Sequence, residues 1–524
     1  MKTLVTTLLL FLANSALQAQ SDKVLIESTI QKFIDGTTYN YPDSIISTFY
    51  PETRMFLYNG TDTVWSVTSE EYASWYSRKP PGTRNARYGQ ISSIDISLDV
   101  AYAKVEFLIP SFGNRYYDLL LLKKIRGEWK IVAKCTSAEP IPKTPAEMVP
   151  QPRKEVVMTG LNHPWSMTFL SENEVLIAEK DGDLLKVDLL SKEQIAIQGL
   201  PDDVARAVTI DTSKFRKGVF PSQLHGRTAS MNAGWFQVLL DPHFDDNQYI
   251  YLSYAAENQA RESTTKVIRG KLIENKLIEV ETLFLAEPYS HGLYHYGGGM
   301  VFGPDGKLYI AIGERNFYEY LNPELPLAQD ISDKRGKIIR INPDGSIPED
   351  NPDFGADAIP GLYALGVRAP QGMTIDPTTD KIWFSEHGTI QGDELNLLIA
   401  GANYGWPNKT SGGYRDKDYA PMALPGTVFT DPIHYWDQTI APTGLTFYSG
   451  REFPQWNGNI ILPGLSKGSL WRVIIEDDIV VGTEELFIHD RVRLRKAVVS
   501  PRGQLYLLTD EDDGKLIRMY NASR

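Results

Sequence analysis

The chain is predicted to be mainly β, a six-bladed β-propeller over residues 154–524 preceded by a small α+β domain over 21–137. Three observations carry that prediction. A strand–turn–strand signature recurs along the second part, starting at Met167, Val238, Met300, Met373, Leu445 and Ala497. Each interval leaves room for a four-stranded sheet, and sheets set radially bury the faces and edges that a lone hairpin exposes. Composition agrees, because 41 glycines, 32 prolines and 11% aromatic residues suit turn-rich strands. Finally, helical runs stand together ahead of the strands in the first part, which is the order of an α+β unit.

In chain order, Met1-Lys2, an apolar run from Leu4 to Leu12 and Ser15-Ala16-Leu17-Gln18-Ala19 read as an export signal over 1–20. The run is too short to span a bilayer, so the protein is expected to be exported, periplasmic or extracellular, with no membrane span. Over 21–137, VLIESTIQKFID sets Leu25, Ile26, Ile30, Phe33 and Ile34 on one helical face. PDSIISTFY starts a second helix on proline, and SVTSEEYASWYS carries a capping pattern. Four strand-like runs follow: QISSIDISLD, YAKVEFLIP, YYDLLLLKK and EWKIVAKC. The last holds the single cysteine, Cys135, expected in the core; alone, it excludes an intrachain disulfide and a thiolate metal cluster. AEPIPKTPAEMVPQPR, over 138–153, is a Pro-rich linker. Lys and Arg number 53 against 66 Asp and Glu, a net charge of −13 that argues against nucleic acid or an anionic membrane as partner.

The richest stretch is HYGGGMVFGPDGKLYIAIGER, His295 to Arg315. MVF and KLYIAIG read as two strands joined by a Pro-Asp-Gly turn. That hairpin puts His295 and Glu314 at the outer ends of neighbouring strands, on the same side. A carboxylate beside an imidazole orients it and raises its basicity, so the pair is a candidate general base near neutral pH.

With VRAPQGMTIDP, SEHGTIQGDELNLLIAGANYGWP, TIAPTGLTFY and LYLLTDEDDGKLIRM, this stretch resembles the soluble PQQ-dependent sugar (glucose/sorbosone, aldose) dehydrogenases. The pattern of the first part, closed by EWKIVAKC, resembles the NTF2-like (SnoaL- and lumazine-binding-like) domains, a cone in which a curved sheet wraps helices. The first resemblance implies a quinoprotein oxidoreductase that oxidises an aldose or oligosaccharide to its lactone and passes electrons to an external acceptor. PQQ is an ortho-quinone with three carboxylates, and Arg368, Arg493 and Arg495 fall where guanidinium forks would meet them, with Lys467 nearby. Asn232 and Tyr414 fall at further cofactor positions. Ca²⁺ is implied at the Gly388 and Thr389 loop, and a second, structural Ca²⁺ at Glu394 and Tyr404. His295 would take the proton of the anomeric hydroxyl, with Glu314 holding the ring.

The match departs from the family at several positions. The arginine of its HxGGR motif is Gly299, the asparagine after its arginine is Ala369, its Gln or Glu ahead of the second blade is Asn232, and its Asp is Glu314. These motivate a second expectation, a non-catalytic propeller that binds carbohydrate or a protein. A homodimer through the first unit is left open.

Overall fold

The computed structural model describes residues 22–59, 63–83, 85, 87–109, 114–140, 152–180, 182–206, 208–209, 228–229, 232–290, 292, 294–315, 326–414, 419–466, 468–487 and 490–522. The expected export signal and residues 141–151 of the linker lie outside them; its two ends instead belong to the strands Glu128–Pro140 and Pro152–Leu161. The chain divides into two compact units, Met1–Val149 and Pro150–Arg524. Among the described residues no helix is long and apolar enough to cross a membrane.

In the first unit, a helix over 22–38 buries Ile26, Ile30, Phe33 and Ile34, the i, i+4, i+7, i+8 stripe of an amphipathic helix. Leu25 falls outside that stripe and is exposed. The helix Pro42–Thr48 has its proline in the first turn, where the missing N–H costs nothing. Ser69–Ser74 is capped by Thr68, whose hydroxyl accepts from the Glu71 amide at 3.1 Å. Six strands make one mixed sheet in the order Val64–Thr68, Arg54–Tyr58, Glu128–Pro140, Asn114–Ile125, Val100–Ile109, Tyr88–Ser97. The sequence showed four of them; the other two are short and join the sheet's far edge, Arg54–Tyr58 pairing parallel to the last strand.

One expectation is overturned here. Cys135 is exposed, and its neighbour Lys134 is buried instead. The register between Asn114–Ile125 and Glu128–Pro140 shifts at Leu121/Leu122, where Ala133 and then Ile131 are the partners. An extra residue in one strand sends every later side chain to the opposite face. Trp129 and Ile131 therefore point inward before the bulge, and Lys134 after it.

The second unit is built from six four-stranded antiparallel sheets, plus one two-stranded ribbon. Their first strands are Pro164–Phe169, Trp235–Leu240, Gly297–Phe302, Pro370–Ile375, Thr446–Phe447 and Leu494–Val499. The predicted starts Met167, Val238, Met300, Met373 and Ala497 lie inside these strands, and Leu445 lies one residue ahead of one. Each first strand lies against the first strand of the next sheet, and that of the sixth lies against that of the first. The sixth sheet takes its outer strand, Pro152–Leu161, from the start of the unit, paired antiparallel to Gly514–Asn521. Apolar clusters fill the spaces between sheets: Trp383, Trp436, Leu445, Ile460 and Trp471, for example, join the fourth to the fifth.

Gly299 sits where first strands crowd. A Cβ there would lie 2.8 Å from the Gln371 carbonyl oxygen, on the first strand of the neighbouring sheet. Gly299→Ala is therefore expected to destabilise the protein by about 1–3 kcal/mol, the cost of overpacking, read as a lower urea midpoint at unchanged m-value. An unchanged midpoint would show that the strands part freely.

Candidate active site

The residues just ahead of the first strands come together in one network. His295 precedes Gly297–Phe302 and has φ 57°, in the left-handed region where histidine is uncommon and where strain accompanies function. Gly297 and Gly298, at φ 75° and 94°, let the chain turn into the strand behind it. Its Nδ1 is hydrogen-bonded to Oε1 of Glu314, at the end of the partner strand Leu308–Ile312. Glu314 is fully buried and the His295 side chain is 10% exposed. A carboxylate on Nδ1 fixes the ring and leaves Nε2 as the proton acceptor.

The Glu314 amide donates to the Arg368 carbonyl at 2.9 Å, which ties this hairpin to the fourth sheet. Arg368 is buried over Trp406, and its Nη1 donates to the carbonyls of His387 at 3.1 Å and Gly388 at 2.6 Å. Burial pushes the His387 imidazole down to about 4, and Arg368 and Arg495 add to the effect, so both guanidinium groups act on this one ring. Arg495, ahead of the sixth sheet's core, donates to Gln371 at 2.7 Å and to Asp510 at 2.7 Å. Its Nε is buried without a partner. Arg493, half-exposed, shares the same Asp510 oxygen at 2.9 Å. His163, ahead of the first sheet, completes the cluster through Nδ1 to Asp510 at 3.2 Å.

The predicted residues thus divide. His295, Glu314, Arg368, Arg493 and Arg495 join one network through main chain, Gln371 and Asp510. Tyr414 stacks obliquely on Trp406 and hydrogen-bonds the Pro407 carbonyl, one ring removed from Arg368. Asn232 is half-buried ahead of the second sheet and does not join that network among the described residues. Lys467 lies outside the described residues. The Thr389 hydroxyl bonds the Gly413 carbonyl, and the Gly388 amide donates to Asp393 at 2.8 Å.

Sequence reading missed Asp510, His163, Gln371 and Glu386. His163 had a visible signal, since it precedes a first strand as His295 does. Glu386 did not: it reads as an ordinary strand residue until register places it directly opposite Glu394. Like charges facing across strands repel. Burial, with Glu394 adding, pushes the Glu386 carboxyl up to about 8, and burial also raises Glu394. A narrow cavity runs between them, lined also by Arg368, Gly388, Tyr404 and Trp406. The Tyr404 hydroxyl is committed to the Leu397 carbonyl at 2.6 Å.

Facing buried carboxylates form a donor set that suits a divalent cation, which would remove their repulsion. Among the described residues no three acidic, His or Cys side chains converge on one point, so carbonyls or water would complete such a shell. Two guanidinium groups that both act on the His387 ring, one of them with an Nε unpartnered among the described residues, suit a polycarboxylate. The Gly388 carbonyl is taken by Arg368 in this arrangement.

The pattern that defines the glucose/sorbosone dehydrogenases matches residues 161–518, and that of the putative lumazine-binding domains matches 21–136. The chain is 31% identical over 375 residues to aldose sugar dehydrogenase YliI of Escherichia coli, covering 70% of this chain and 92% of that one. It is 26% identical over 444 residues to quinoprotein glucose dehydrogenase B of Acinetobacter calcoaceticus, covering 69% and 87%. A crystal structure of a glucose dehydrogenase superposes with a TM-score of 0.61 at 32% identity, over 70% of this chain and 99% of that one. With more than half its length matched, across His295 and the arginines, this chain belongs to the glucose/sorbosone dehydrogenase family.

Proposed function

We propose that the protein is an exported, PQQ- and Ca²⁺-dependent aldose dehydrogenase, and that its six sheets are the blades of a six-bladed propeller whose first strands line the axis. The observation that carries the reading is the His295–Glu314 pair on the same network as Arg368 and Arg495. The succession of first strands, each against the next, supports the blade arrangement. Similarity to enzymes named as aldose and quinoprotein glucose dehydrogenases supports the substrate class and the cofactor.

Bound PQQ would supply the hydride acceptor. Everything else falls to the chain. Nε2 of His295 takes the proton from the anomeric hydroxyl as hydride leaves the same carbon, yielding the lactone. Glu314 keeps the other ring proton on Nδ1 and stabilises the imidazolium that forms. Arg368, Arg493 and Arg495 anchor carboxylates, with Lys467, Asn232 and Tyr414 as the further cofactor contacts. When Arg368 turns to such a carboxylate it releases Gly388, which with Thr389 becomes open to a cation. Glu394, with the main chain of Tyr404 and now Glu386, holds the structural ion. An external acceptor then takes the electrons. Reduction of a dye by an aldose panel, after loading apoprotein with PQQ and Ca²⁺, tests the reading. No absorbance change on loading and no turnover would remove it.

The carboxylate pair yields a second test. Unfolded, Glu386 titrates near its ordinary 4.5; folded, it is pushed up to about 8. Its neutral form therefore contributes stability in full below about pH 4.5, and that contribution is lost as pH rises through about 8. The denaturation midpoint of metal-free protein is expected to fall across this window, and added Ca²⁺ to restore it most at the alkaline end. A midpoint that ignores Ca²⁺ at pH 8 would exclude an ion between these carboxylates.

A further inference from the structure

The first unit contains a cavity of about 180 Å³ that nothing in the sugar chemistry uses. Its walls are aromatic: Tyr58, Trp65, Tyr72, Trp75, Phe107 and Tyr116. Trp65 and Trp75 stack at 4.7 Å between ring centroids, and Trp65 is 48% exposed. Three charged side chains line the same space: Arg87, Asp118 and Lys134. All are at least nine-tenths buried.

Their charges do not balance. Lys134 donates to Asp118 Oδ1 at 2.7 Å and to Thr136 at 2.6 Å, and the Thr136 hydroxyl donates to the same Asp118 oxygen at 2.6 Å. That carboxylate accounts for Lys134. Arg87 contacts the hydroxyls of Tyr76 and Tyr72 and lies 4.0 Å above the Phe107 ring. Its Nε is buried with no hydrogen-bond partner among the described residues. Phenols and a ring face do not neutralise a guanidinium; buried cations are costly unless an anion answers them. A core built for packing alone has no use for this residue, whereas a site for an anion requires it.

We propose that this cavity binds a small aromatic carboxylate, its ring between the tryptophan and tyrosine walls and its carboxylate on Arg87. Size agrees, since an engineered apolar cavity of about 150 Å³ admits benzene. Ring faces on the walls provide stacking surface and the guanidinium provides a bidentate anchor. The strand bulge described above belongs to the same design, because it turns Lys134 inward; Asp118 hydrogen-bonds Lys134 and acts on Arg87 only through space, so one carboxylate faces two cations.

Calorimetric titration of the full-length protein with benzoate, benzamide and benzylamine separates ring from charge. Benzoate is expected to bind saturably, benzamide at least 10-fold more weakly, and benzylamine not measurably. Arg87→Gln is expected to erase the preference for benzoate over benzamide. Trp65→Ala, on the exposed rim where folding is not at stake, is expected to weaken both by several-fold. Equal binding of benzoate and benzamide, no saturable benzoate binding, or benzoate binding unchanged in the Trp65 variant, would overturn the proposal. These outcomes are independent of whether the second unit oxidises sugars.

Discussion

His295→Ala is expected to lower kcat for aldose oxidation by about 10²–10⁴-fold, the usual contribution of a positioned general base. The loss should fall on kcat and leave KM within a few-fold, because the imidazole acts on a proton that moves only in the transition state. Three features of the site make the effect large. The ring is nearly enclosed, it is held by a fully buried carboxylate, and its backbone is fixed in the left-handed region by two following glycines. Glu314→Gln keeps the shape but removes the charge that stabilises the imidazolium. It should reduce kcat less than the alanine change at His295 and move the pH profile of kcat/KM. Dye-linked rates of the loaded enzyme, with circular dichroism to check folding, measure both. Full activity in the alanine variant would take the proton-transfer role away from His295.

The largest stability loss is expected at Asp510. Asp510→Ala should destabilise the second unit by about 3–5 kcal/mol, as when one partner of a buried ion pair is removed. Asp510 is the anion shared by Arg495, Arg493 and His163, with Lys180 3.8 Å away, and those cations hold its carboxyl far below the ordinary carboxylate range. Without it, Arg495 is a buried charge left, among the described residues, with the Gln371 side chain and the Trp165 ring. The sign with pH follows from the depressed titration. The stabilisation is present in full above the ordinary Asp value near 3.8 and fades as pH falls below it. The gap between wild type and variant in urea should therefore narrow in acid, and also shrink towards about pH 8 as His163, which Asp510 holds above its ordinary 6.5, loses its charge. A gap below about 1 kcal/mol at pH 7, the scale of an exposed surface pair, would show that the cluster is solvated.

The residues that could be read from sequence were those governed by local rules. Alternation and turn residues located the first strand of each four-stranded sheet in the second unit, and one hairpin sufficed to bring His295 to Glu314, since both belong to it. Helical spacing found the stripe of Ile26, Ile30 and Phe33. Glu386 stayed hidden because its role depends on cross-strand register, and Asp510 because its part in the cluster shows only when His163, 347 residues away, meets the Arg493 and Arg495 of its own hairpin. Gly299 looked like a missing contact, and it also gives the room that a crossing carbonyl needs.

By itself, then, the sequence located the opening hairpins of the second unit and paired His295 with Glu314, because each depends on residues within one turn or hairpin. Tertiary structure alone decided that Pro152–Leu161 completes the last sheet, that one unpaired residue in a strand turns Lys134 inward and Cys135 outward, and that Arg87 hydrogen-bonds two phenols while Asp118 hydrogen-bonds Lys134. Those outcomes come from long-range pairing and burial, where the energy of a side chain is set by what packs against it and not by its neighbours in the chain.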